Sequence, residues 1–538
     1  GIAVQPAYEA VRREALQFSP ESTATITGID PDLLYQEARL IARAEVVKIL
    51  GGFVITKYSN GIFTQWAQVL LLALTGHSGA KGGIDHIGAG WIRPAREILG
   101  AAKPTRIETG GLGEWLLGEH AQDAKASFNA DKLKEHLGYD IDDLESMVDE
   151  CVTKGWMPHW GKPKGMIVWG DNFLCRNKAA RQYRERVLAH ASAFYVNINT
   201  RMDSSALWAD YVLPAASHYE AWDLRSFGYH RFVNAFTAPA APVGESKPDW
   251  DITTLLCQKI QERARARGVT RFDDPAFGVT RDFDTLYDDF TMQERLKTDR
   301  DACQWLLEQS PEHGESAFAD ATSNGFLVMN DQAIGGNYTR SPDNMVVPFG
   351  KQIFDKDPYP TLSGRITFYI DHDWFLKLHA QVPTARRHAG RECSNYPLGF
   401  YSPHTRWGIH SNWRSSKYML RLQRGEPHVY LNPRLARRRG IADGERVRVF
   451  NSLGEFHAQA KFYPSVPEDA LMMEHAWENY QFEGGNGLNN VSVPLLQPLE
   501  MVGNWGHLKF RYFMWNPNQL AHESGVDIES STTQRTQS

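Results

Sequence analysis

The chain is poor in cysteine, and the cysteines that it has are not clustered. Its 538 residues include five. They lie far apart along the chain, at Cys151, Cys175, Cys257, Cys303 and Cys393. No CxxC or CxxxC pair is present, and such pairs commonly supply the ligands of iron–sulfur clusters and zinc. We therefore expect no cluster or zinc knuckle held within these residues, and we interpret the thiols as small buried hydrophobic groups.

Long apolar runs and an excess of positive charge are also lacking. The strongest apolar run covers residues 69–74, far short of the roughly 18 residues that suggest a membrane span. Acidic residues outnumber basic ones, 64 to 58, so the net charge of −6 gives no footprint for nucleic acid. Residues 434–439 are locally basic, which predicts a solvated helix face or a contact with phosphates or a partner subunit. The sequence thus predicts neither a membrane span nor a nucleic-acid partner.

What the chain does contain is enough apolar material for a large core. Hydrophobic residues make up 42% of it and aromatic residues 12%, and the length suggests about three or four domains. We predict a multi-domain α/β fold with parallel-sheet nucleotide-binding domains and a C-terminal six-stranded-type β-barrel. The predicted divisions are an α/β Rossmann-like part with surface loops, a second α/β dinucleotide-binding domain with a helical insert, a cofactor-binding barrel and a disordered tail, at residues 1–160, 161–390, 391–528 and 529–538.

Residues 165–217 have the pattern of a βαβ unit. An apolar run at 165–170 (GMIVWG) ends at glycine, and an Arg-rich helical stretch separates it from a second apolar run at 193–199 (AFYVNIN). Such units bind ligands where the carboxyl ends of parallel strands meet the following loops. The amides at the next helix start can hold a phosphate. A nucleotide-containing cofactor is the first hypothesis, and an ordinary α/β core with solvated strand ends is the alternative.

The last part of the chain changes to short strands punctuated by glycine and proline. Residues 445–451 (ERVRVFN) and 454–462 (GEFHAQAKF) alternate between apolar and polar side chains. This alternation is typical of a small barrel.

Several motifs, in order along the chain, resemble the dimethyl sulfoxide (DMSO) reductase superfamily of molybdenum and tungsten oxidoreductases. They are NTRMD at 199–203, ADYVLPAAS at 209–217, LLLALTG at 70–76 with GAKGG at 79–83, YPTLSGRITFY at 359–369, PHTRWGIHS at 403–411, NP at 432–433 with GIADG at 440–444, and GNWGHLK at 503–509. Within the superfamily, the 359–369 and 503–509 segments look most like the type II branch of nitrate, selenate and chlorate reductases and sulfide and hydrocarbon dehydrogenases.

The resemblance implies a bis(molybdopterin guanine dinucleotide) cofactor carrying molybdenum. The cofactor presents guanine edges, a pyrophosphate and a pterin, so its site needs amides or carboxylates, phosphate donors and a mixed polar and aromatic wall. By this resemblance the cofactor-binding residues are Trp169, Gly170, Asn172, Asn199, Arg201, Asp203, Ser217, Glu220, His404, Thr405, Arg406, Trp407, His410, Ser411, Asn489, Asn490 and Lys509. For the histidines we expect a hydrogen-bonded loop, and we assign no metal ligand.

Lys57 is the one residue that we predict near the reacting centre. It follows an apolar run at 52–56, and in hydrocarbon-hydroxylating members of the branch a lysine on a comparable segment assists substrate activation. A buried ammonium could also steer an oxyanion, whereas a solvent-facing lysine before a loop is the alternative. His77 and His86 are possible proton relays.

The resemblance further implies a catalytic subunit whose iron–sulfur cluster, twin-arginine signal and molybdenum ligand lie in an N-terminal part. None of these is visible here, so we expect the C-terminal portion of a longer periplasmic subunit. The expected partners are an iron–sulfur electron-transfer subunit and, in some members, a haem b subunit.

The direction of the reaction stays open. Oxyanion reduction and water-derived hydroxylation of an apolar substrate are both compatible with the residues. The rival from another class is a non-catalytic assembly or binding protein that keeps the fold without metal. A nicotinamide-dependent dehydrogenase is disfavoured because no G-x-G-x-x-G follows a predicted strand.

Overall fold

The structure is a computed structural model. It describes residues 4–49, 55, 58, 60–78, 83–84, 122–154, 164–188, 194–226, 232–274, 279–309, 314–328, 351–359, 361, 363–386, 388–422, 425–495 and 524–531. No helix within these ranges is both long and apolar enough to cross a bilayer.

The N-terminal part is mostly helical and contains one short parallel strand pair. The helices are α1 (Ala7–Ala15), α2 (Pro20–Thr27), α3 (Pro31–Arg43), α4 (Gly61–Leu74), α5 (Ala130–Leu137) and α6 (Leu144–Thr153). Strand β1 (Lys48–Ile49) pairs in parallel with β2 (Gly83–Ile84). Helix α3 begins as its sequence predicts, because Pro31 opens the first turn and the Asp30 carboxylate accepts a hydrogen bond from the Asp32 amide at 2.9 Å.

One hydrophobic core joins these helices to segments far along the chain. Phe63 of α4 and Leu133 of α5 belong to the same buried cluster as Phe375 and Val493. Helices α4 and α5 are therefore packed against residues that lie more than 200 positions later in the sequence.

A three-stranded parallel sheet follows and confirms the predicted βαβ unit. Its strands β3 (Met166–Trp169), β4 (Tyr195–Asn199) and β5 (Tyr211–Pro214) pair in that order. Two short helices, α7 (Phe173–Arg176) and α8 (Ala180–Tyr183), lie between β3 and β4. Gly170 has φ of +64° at the end of β3, a backbone conformation that favours glycine, which explains why the apolar run stops there.

The next region contains more strand than the predicted helical insert. Strands β6 (Trp222–Ser226), β7 (Phe232–Thr237) and β10 (Phe326–Val328) form an antiparallel sheet in the order β10-β7-β6, and β8 (Arg271–Asp274) pairs with β9 (Val279–Asp282). Helices are also present at α9 (Asp249–Arg267), α10 (Leu286–Phe290), α11 (Asp299–Glu308) and α12 (Ala317–Asn324). The described part of residues 270–345, where we expect a looser helical insert, thus contains the helices α10, α11 and α12 and also the strands β8, β9 and β10.

The C-terminal part contains the predicted closed six-stranded barrel. Its strand order is β11-β15-β12-β14-β13-β16. The strands are β11 (Leu398–Tyr401), β12 (His428–Leu431), β13 (Arg446–Asn451), β14 (Gly454–Phe462), β15 (Ala470–Met472) and β16 (Ser524–Ser530). Helices α13 (Asp373–Lys377) and α14 (Ala389–Glu392) precede the barrel, and α15 (Lys417–Leu422) and α16 (Pro433–Arg439) lie between its strands.

Alternating burial along the barrel strands builds its core. In β13 every second residue is buried, and Val447 and Val449 face the interior with Phe456 of β14. The predicted tail at 529–538 began two residues too early, because β13 pairs with β16 as far as Ser530. Residues 532–538 lie outside the described residues.

Candidate functional site

A cleft of about 530 Å³ lies at the carboxyl ends of the parallel strands. We call it the strand-end cleft. It brings together eight of the residues predicted from sequence. These are Trp169, Gly170, Asn172, Asn199, Arg201, Asp203, Ser217 and Ser411. The first seven are the last residues of β3 and β4 or lie in the turns after β3, β4 and β5, whereas Ser411 comes from the loop after β11.

The residues after β4 hold one another in place. The Asn199 side-chain amide donates to the Asp203 carboxylate at 2.8 Å, and the other carboxylate oxygen accepts from the backbone amides of Ser205 and Ala206 at 3.0 and 2.8 Å. Burial raises the pKa of Asp203, with the charge of Glu478 adding to the effect, while the amide hydrogen bonds and Arg201 oppose it. These hydrogen bonds hold the Asp203 carboxylate, an acceptor, in one orientation within the turn after β4.

Aromatic side chains and carboxylates from other elements complete the cleft. The Trp169 indole donates to Asp249 at 2.7 Å, and the Trp222 backbone amide donates to Asp299 at 2.7 Å. Trp250, at the start of α9, stacks on Phe290 with ring centroids 4.7 Å apart. Sequence reasoning did not place Trp222, Trp250 or Asp299 here, because they reach the cleft only through tertiary packing.

Glu478 is the residue behind the cleft that sequence reasoning missed. It is fully buried and lies after β15 of the barrel. The side chains of Asn172 and Ser204 donate to it, at 2.9 and 2.6 Å to the same carboxylate oxygen, and the Ser204 backbone amide donates at 2.9 Å. A lone Glu in an aromatic stretch gives no local signal of this role.

The two terminal nitrogens of the Arg201 guanidinium differ in their contacts. Its Nη2 lies 2.6 Å from a carboxylate oxygen of Glu478. Its Nη1 is buried and has no hydrogen-bond partner among the described residues. The indole Nε1 of Trp250 is in the same condition. Buried donors are nearly always paired in native proteins, so two such donors in residues that line one cleft suit a ligand with acceptor oxygens.

A second cleft of about 400 Å³ lies on the barrel. We call it the barrel cleft. It is lined by Pro403, His404, Arg406, Trp407, Leu422, His428, Tyr430, Lys461, Tyr463, Met472 and Glu474. The Arg406 guanidinium lies over the Trp407 ring at 5.1 Å. Thr405 is buried and its hydroxyl accepts from the Trp407 amide at 3.3 Å. The loop 403–411 therefore serves both clefts, through Ser411 on one side and His404 on the other.

Three histidines converge beside the barrel cleft. One ring nitrogen from each of His404, His410 and His475 lies within 4.8 Å of the others. His475 Nδ1 lies 2.9 Å from the Pro403 carbonyl oxygen, so that nitrogen carries the proton and donates to it. In a neutral His475 ring Nε2 is the acceptor nitrogen, and it lies 3.1 Å from His410 Nδ1. His475 was missed because 65 residues separate it from His410, a distance along the chain that hides any spacing signal.

Five of the described predicted residues line neither cleft. Thr405 and His410 lie in the loop 403–411 that contributes to both clefts, and the other three make contacts elsewhere. Glu220 accepts from the Ser217 amide at 2.9 Å and closes a local turn. Asn489 is buried and donates to the Cys175 carbonyl, and Asn490 donates to Asn486 at 3.0 Å. Two short 3₁₀ turns, Glu483–Gly485 and Leu488–Val491, form this segment. Asn489 thus ties the barrel part to the parallel-sheet part.

Other predicted residues cannot be placed. Lys57, His86 and Lys509 lie outside the described residues, so their assigned roles stay predictions. His77 is described. It is buried, with its ring nitrogens 2.7 Å from the Thr75 hydroxyl and 2.8 Å from the Ala44 carbonyl oxygen. Those two contacts link His77 to the end of α4 and to the residue after α3. The role of His77 as a proton relay stays a prediction.

The residue types present fit a dinucleotide with a fused-ring head group. Carboxylates such as Asp203 and amides such as Asn172 can pair with a nucleobase, Arg201 can donate to a phosphate, and tryptophan faces can pack on rings. The barrel cleft offers histidine, arginine and lysine beside tryptophan and tyrosine rings. A ligand reaching both clefts would be held by two domains at once.

Two family profiles match the chain. One is described as molybdopterin oxidoreductase and covers residues 49–259. The other is described as molydopterin dinucleotide binding domain and covers residues 398–504. The first match includes the residues after β3, β4 and β5, and the second includes the loop 403–411 and Glu478.

Curated relatives match nearly the whole chain. The chain is 53% identical over 532 residues to dimethylsulfide dehydrogenase subunit alpha of Rhodovulum sulfidophilum, covering 98% of this chain and 58% of that protein. It is 38% identical over 537 residues to chlorate reductase subunit alpha of Ideonella dechloratans, covering 99% and 58%. The chain thus spans somewhat more than half the length of these relatives.

A solved structure shares the fold. Acetylene hydratase from Pelobacter acetylenicus superposes with a TM-score of 0.61 at 16% identity, covering 97% of this chain and 66% of that one. At this level of identity the likeness concerns the architecture alone.

Proposed function

Since the chain belongs to the molybdopterin oxidoreductases of the DMSO reductase family, we propose that it is part of a catalytic subunit. In this proposal the enzyme transfers an oxygen atom between water and a small substrate, coupled to the transfer of two electrons. The observation that carries it is the strand-end cleft, where residues predicted for one dinucleotide site meet. The matched domains support a bis(molybdopterin guanine dinucleotide) cofactor with molybdenum.

The strand-end cleft would hold one guanine dinucleotide arm. Arg201 would donate to the pyrophosphate through its unpartnered nitrogen. Asn172, Asn199 and Asp203 would bind the nucleoside, and Trp169 would pack on it. At Gly170, no atom of the described part of the chain lies within 4 Å of where a Cβ would stand, so the backbone can approach a ligand closely.

The barrel cleft would hold a pterin. His404 and Arg406 supply hydrogen-bonding groups and Trp407 supplies an aromatic face. His410 lies beside the cleft, with a ring nitrogen within 4.8 Å of one of His404, and Thr405 fixes the loop that carries them. When bound, the cofactor supplies a metal centre that takes up or releases two electrons and an oxygen atom. The described residues bind and orient it, and histidine nitrogens near it can hold protons.

The substrate that we favour is a small dialkyl sulfide. The support is 53% identity to a protein named as a dimethylsulfide dehydrogenase. The reaction would join the sulfide to an oxygen from water, giving the sulfoxide, two protons and two electrons. The second candidate is reduction of an oxyanion such as chlorate, supported by 38% identity to a chlorate reductase subunit.

The electrons would pass through iron–sulfur clusters. We place a 4Fe-4S cluster in a part of the subunit beyond these residues, and further clusters in an electron-transfer subunit, with a haem b subunit as the next carrier. The relatives are named as alpha subunits, which supports a multi-subunit complex. We propose a periplasmic location.

Assays in both directions on the natively purified complex test the proposal. We expect dimethyl sulfide to reduce an acceptor dye faster than chlorate oxidises a reduced viologen dye. His410→Ala should lower the turnover at least about tenfold. His457→Ala is the matched control, since His457 lies on β14, outside both clefts, with its Nδ1 3.0 Å from the Ser531 hydroxyl.

Other outcomes separate the alternatives. Faster chlorate turnover would favour the oxyanion reductase. A complex that contains no metal and no guanine nucleotide would leave the non-catalytic binding protein as the explanation.

A further inference from the structure

We propose that Glu478 is a positioning residue for the cofactor. It joins the barrel part to the strand-end cleft and holds one edge of the Arg201 guanidinium, so that the other edge receives the dinucleotide pyrophosphate. This inference rests on the proposed function and adds a residue that lies behind the cleft.

Burial of the Glu478 carboxylate costs desolvation free energy that its hydrogen bonds must offset. Its side chain is 0% exposed, and a buried carboxylate is tolerated only when it is paired and hydrogen-bonded. Its partners come from two turns of the parallel-sheet part. They are Asn172 after β3, with Arg201 and Ser204 after β4. The barrel part thus supplies the acceptor, and the sheet part supplies the donors.

The contact is reciprocal and therefore rigid. The Ser204 hydroxyl donates to Glu478 at 2.6 Å and lies 2.7 Å from the Asn479 backbone nitrogen, which donates to it. The Glu478 backbone amide donates in turn to the Gln481 side chain at 3.0 Å. Glu478 is consequently fixed by its backbone as well as by its carboxylate.

The shape of a guanidinium explains how this fixes a cofactor residue. The group is planar and carries five donors in a rigid fork. Glu478 occupies Nη2 at 2.6 Å, whereas Nη1 is buried and has no hydrogen-bond partner among the residues that the structure describes. Because one edge is held before a ligand arrives, less side-chain entropy is lost when the other edge binds a phosphate.

Asn172 is positioned by the same carboxylate. Its amide nitrogen lies 3.1 and 2.9 Å from the two Glu478 oxygens, and its carbonyl oxygen accepts from the Ser205 hydroxyl at 2.9 Å. The turns after β3 and β4 are therefore linked through one buried charge. Loss of that charge should loosen both turns that form the cleft.

A double-mutant cycle on the natively purified complex tests the inference. The variants are Glu478→Gln, Arg201→Lys and the double variant. Each is incubated at a fixed temperature and desalted at intervals, and the guanine nucleotide that remains bound is then released with acid and measured. The readout is the rate at which bound nucleotide is lost. We expect Glu478→Gln to speed the loss about ten- to a hundredfold, as for other supporting residues of cofactor ligands. In the Arg201→Lys background the same change should add less than about twofold.

The control is Glu468→Gln. Glu468 is a partly exposed carboxylate that pairs with Arg434 and Arg438 of α16. Like Glu478 it pairs with arginine, but it does not lie at the strand-end cleft. It should leave the rate of nucleotide loss unchanged. Thermal unfolding, measured in parallel, gives the structural effect of each variant separately.

Glu478→Asp is a second test variant, which is used if Glu478→Gln does not fold. It retains the charge but shortens the side chain by one methylene, so it cannot reach Arg201 and Ser204 at their present distances. We expect it to lose nucleotide faster than wild type. The inference is overturned if either folded variant retains nucleotide as well as wild type, or if the effects of Glu478→Gln and Arg201→Lys are additive.

Failure of this inference is distinguishable from failure of the proposed function. Wild-type complex without guanine nucleotide contradicts the proposed function. Nucleotide-bearing wild type, with loss accelerated by Arg201→Lys and not by Glu478→Gln, contradicts the role of Glu478 alone.

Discussion

Single buried residues decide whether the cleft and its supports stay ordered. Glu478, Asp203 and Arg414 are ionisable side chains at or near full burial. Glu478 and Arg414 are held by partners from distant parts of the chain, whereas Asp203 is held by Asn199 and by the amides of Ser205 and Ala206. Such groups are costly when a partner is removed and close to neutral when they are satisfied. The residue-scale predictions therefore concern buried ionisable groups.

Arg414 is expected to stabilise the loop that joins the two clefts. It is 1% exposed, lies over the Trp477 ring at 4.4 Å and donates to the His475 carbonyl at 2.7 Å. Burial lowers its pKa to about 10, while Glu474 and Glu478 oppose the shift. Arg414→Ala should lower the free energy of unfolding by about 3 kcal/mol, as measured by denaturant unfolding.

The matched control is Arg406→Ala, because Arg406 is exposed and stacks on Trp407 in the same loop. It should cost less than about 1 kcal/mol of stability. Equal losses for the two variants would contradict the structural role given to Arg414.

His136 is expected to make the fold sensitive to acid. Burial, with the charges of Arg386 and His388, lowers its pKa to about 4, against a smaller opposing effect of Glu392. The unfolded chain therefore binds a proton at a higher pH than the folded chain does. The free energy of unfolding is unaffected by this group above pH 6.5. It falls by at most about 3 kcal/mol as the pH drops from 6.5 to 4.

Urea unfolding between pH 4 and pH 8 measures this effect. His136→Gln should match wild type in its pH slope above pH 7 and lose stability less steeply below pH 6.5. Parallel curves over the whole range would show that His136 does not carry the proton uptake.

At this scale the sequence predicted the residues at the strand ends and missed those that reach them from elsewhere. Asn172, Asn199 and Asp203 were predictable because polar residues follow apolar runs of strand length. Glu478 and His475 were not, because their partners lie tens to hundreds of residues away. Nothing in the local pattern distinguishes a Glu that is buried from one that is solvated.

Secondary-structure elements set the positions of both clefts. The parallel strands β3, β4 and β5 place three successive turns at one edge, and the barrel presents the loop after β11 to them. The βαβ pattern and the alternating barrel strands were both predicted, because each has a strong period and clear glycine punctuation. The sheet of β6, β7 and β10 was missed, since β10 is a short strand that pairs with a partner about 90 residues earlier.

The last barrel strand gives an element-scale prediction. A Cβ at Gly525 of β16 would overlap the side chain of Ser394 and lie 3.2 Å from the Gly390 carbonyl oxygen. Gly525→Ala should therefore force α14 away from the barrel and cost about 2 kcal/mol or more.

Gly440→Ala provides the comparison. Gly440 ends α16 with φ of +67° and has open space around it, so only the backbone conformation is strained. We expect a loss of about 1 kcal/mol there. A loss at Gly525 no greater than at Gly440, in chemical unfolding experiments, would contradict the packing of α14 on the barrel.

The whole molecule is organised so that one ligand would touch two separately built parts. Glu478 and Asn489 connect the barrel part to the turns after β3, and Ser411 of the barrel loop lines the strand-end cleft. A group that binds only the folded state stabilises it by mass action. Removal of the cofactor should therefore lower the melting temperature and increase amide hydrogen exchange at residues 170–176, 199–206 and 403–414.

Hydrogen exchange of complex before and after cofactor removal checks this expectation. Residues 446–462 in the barrel core serve as the internal control and should keep their protection. Increased exchange in the control strands alone would contradict a ligand shared between the two clefts.

At this scale the α/β fold class and the C-terminal barrel followed from the motifs and the strand patterns, but the contacts between the parts did not. Packing of α4 and α5 against Phe375 and Val493 depends on surfaces that only the assembled fold brings together. The same is true of the link between the two clefts.

The central claim is that this chain helps to hold a molybdenum cofactor with two guanine dinucleotide arms. Metal and nucleotide analysis of the natively purified complex tests it most directly. We predict molybdenum and acid-released guanosine monophosphate in a ratio of about one to two per catalytic subunit. An intact complex that contains neither would contradict the account.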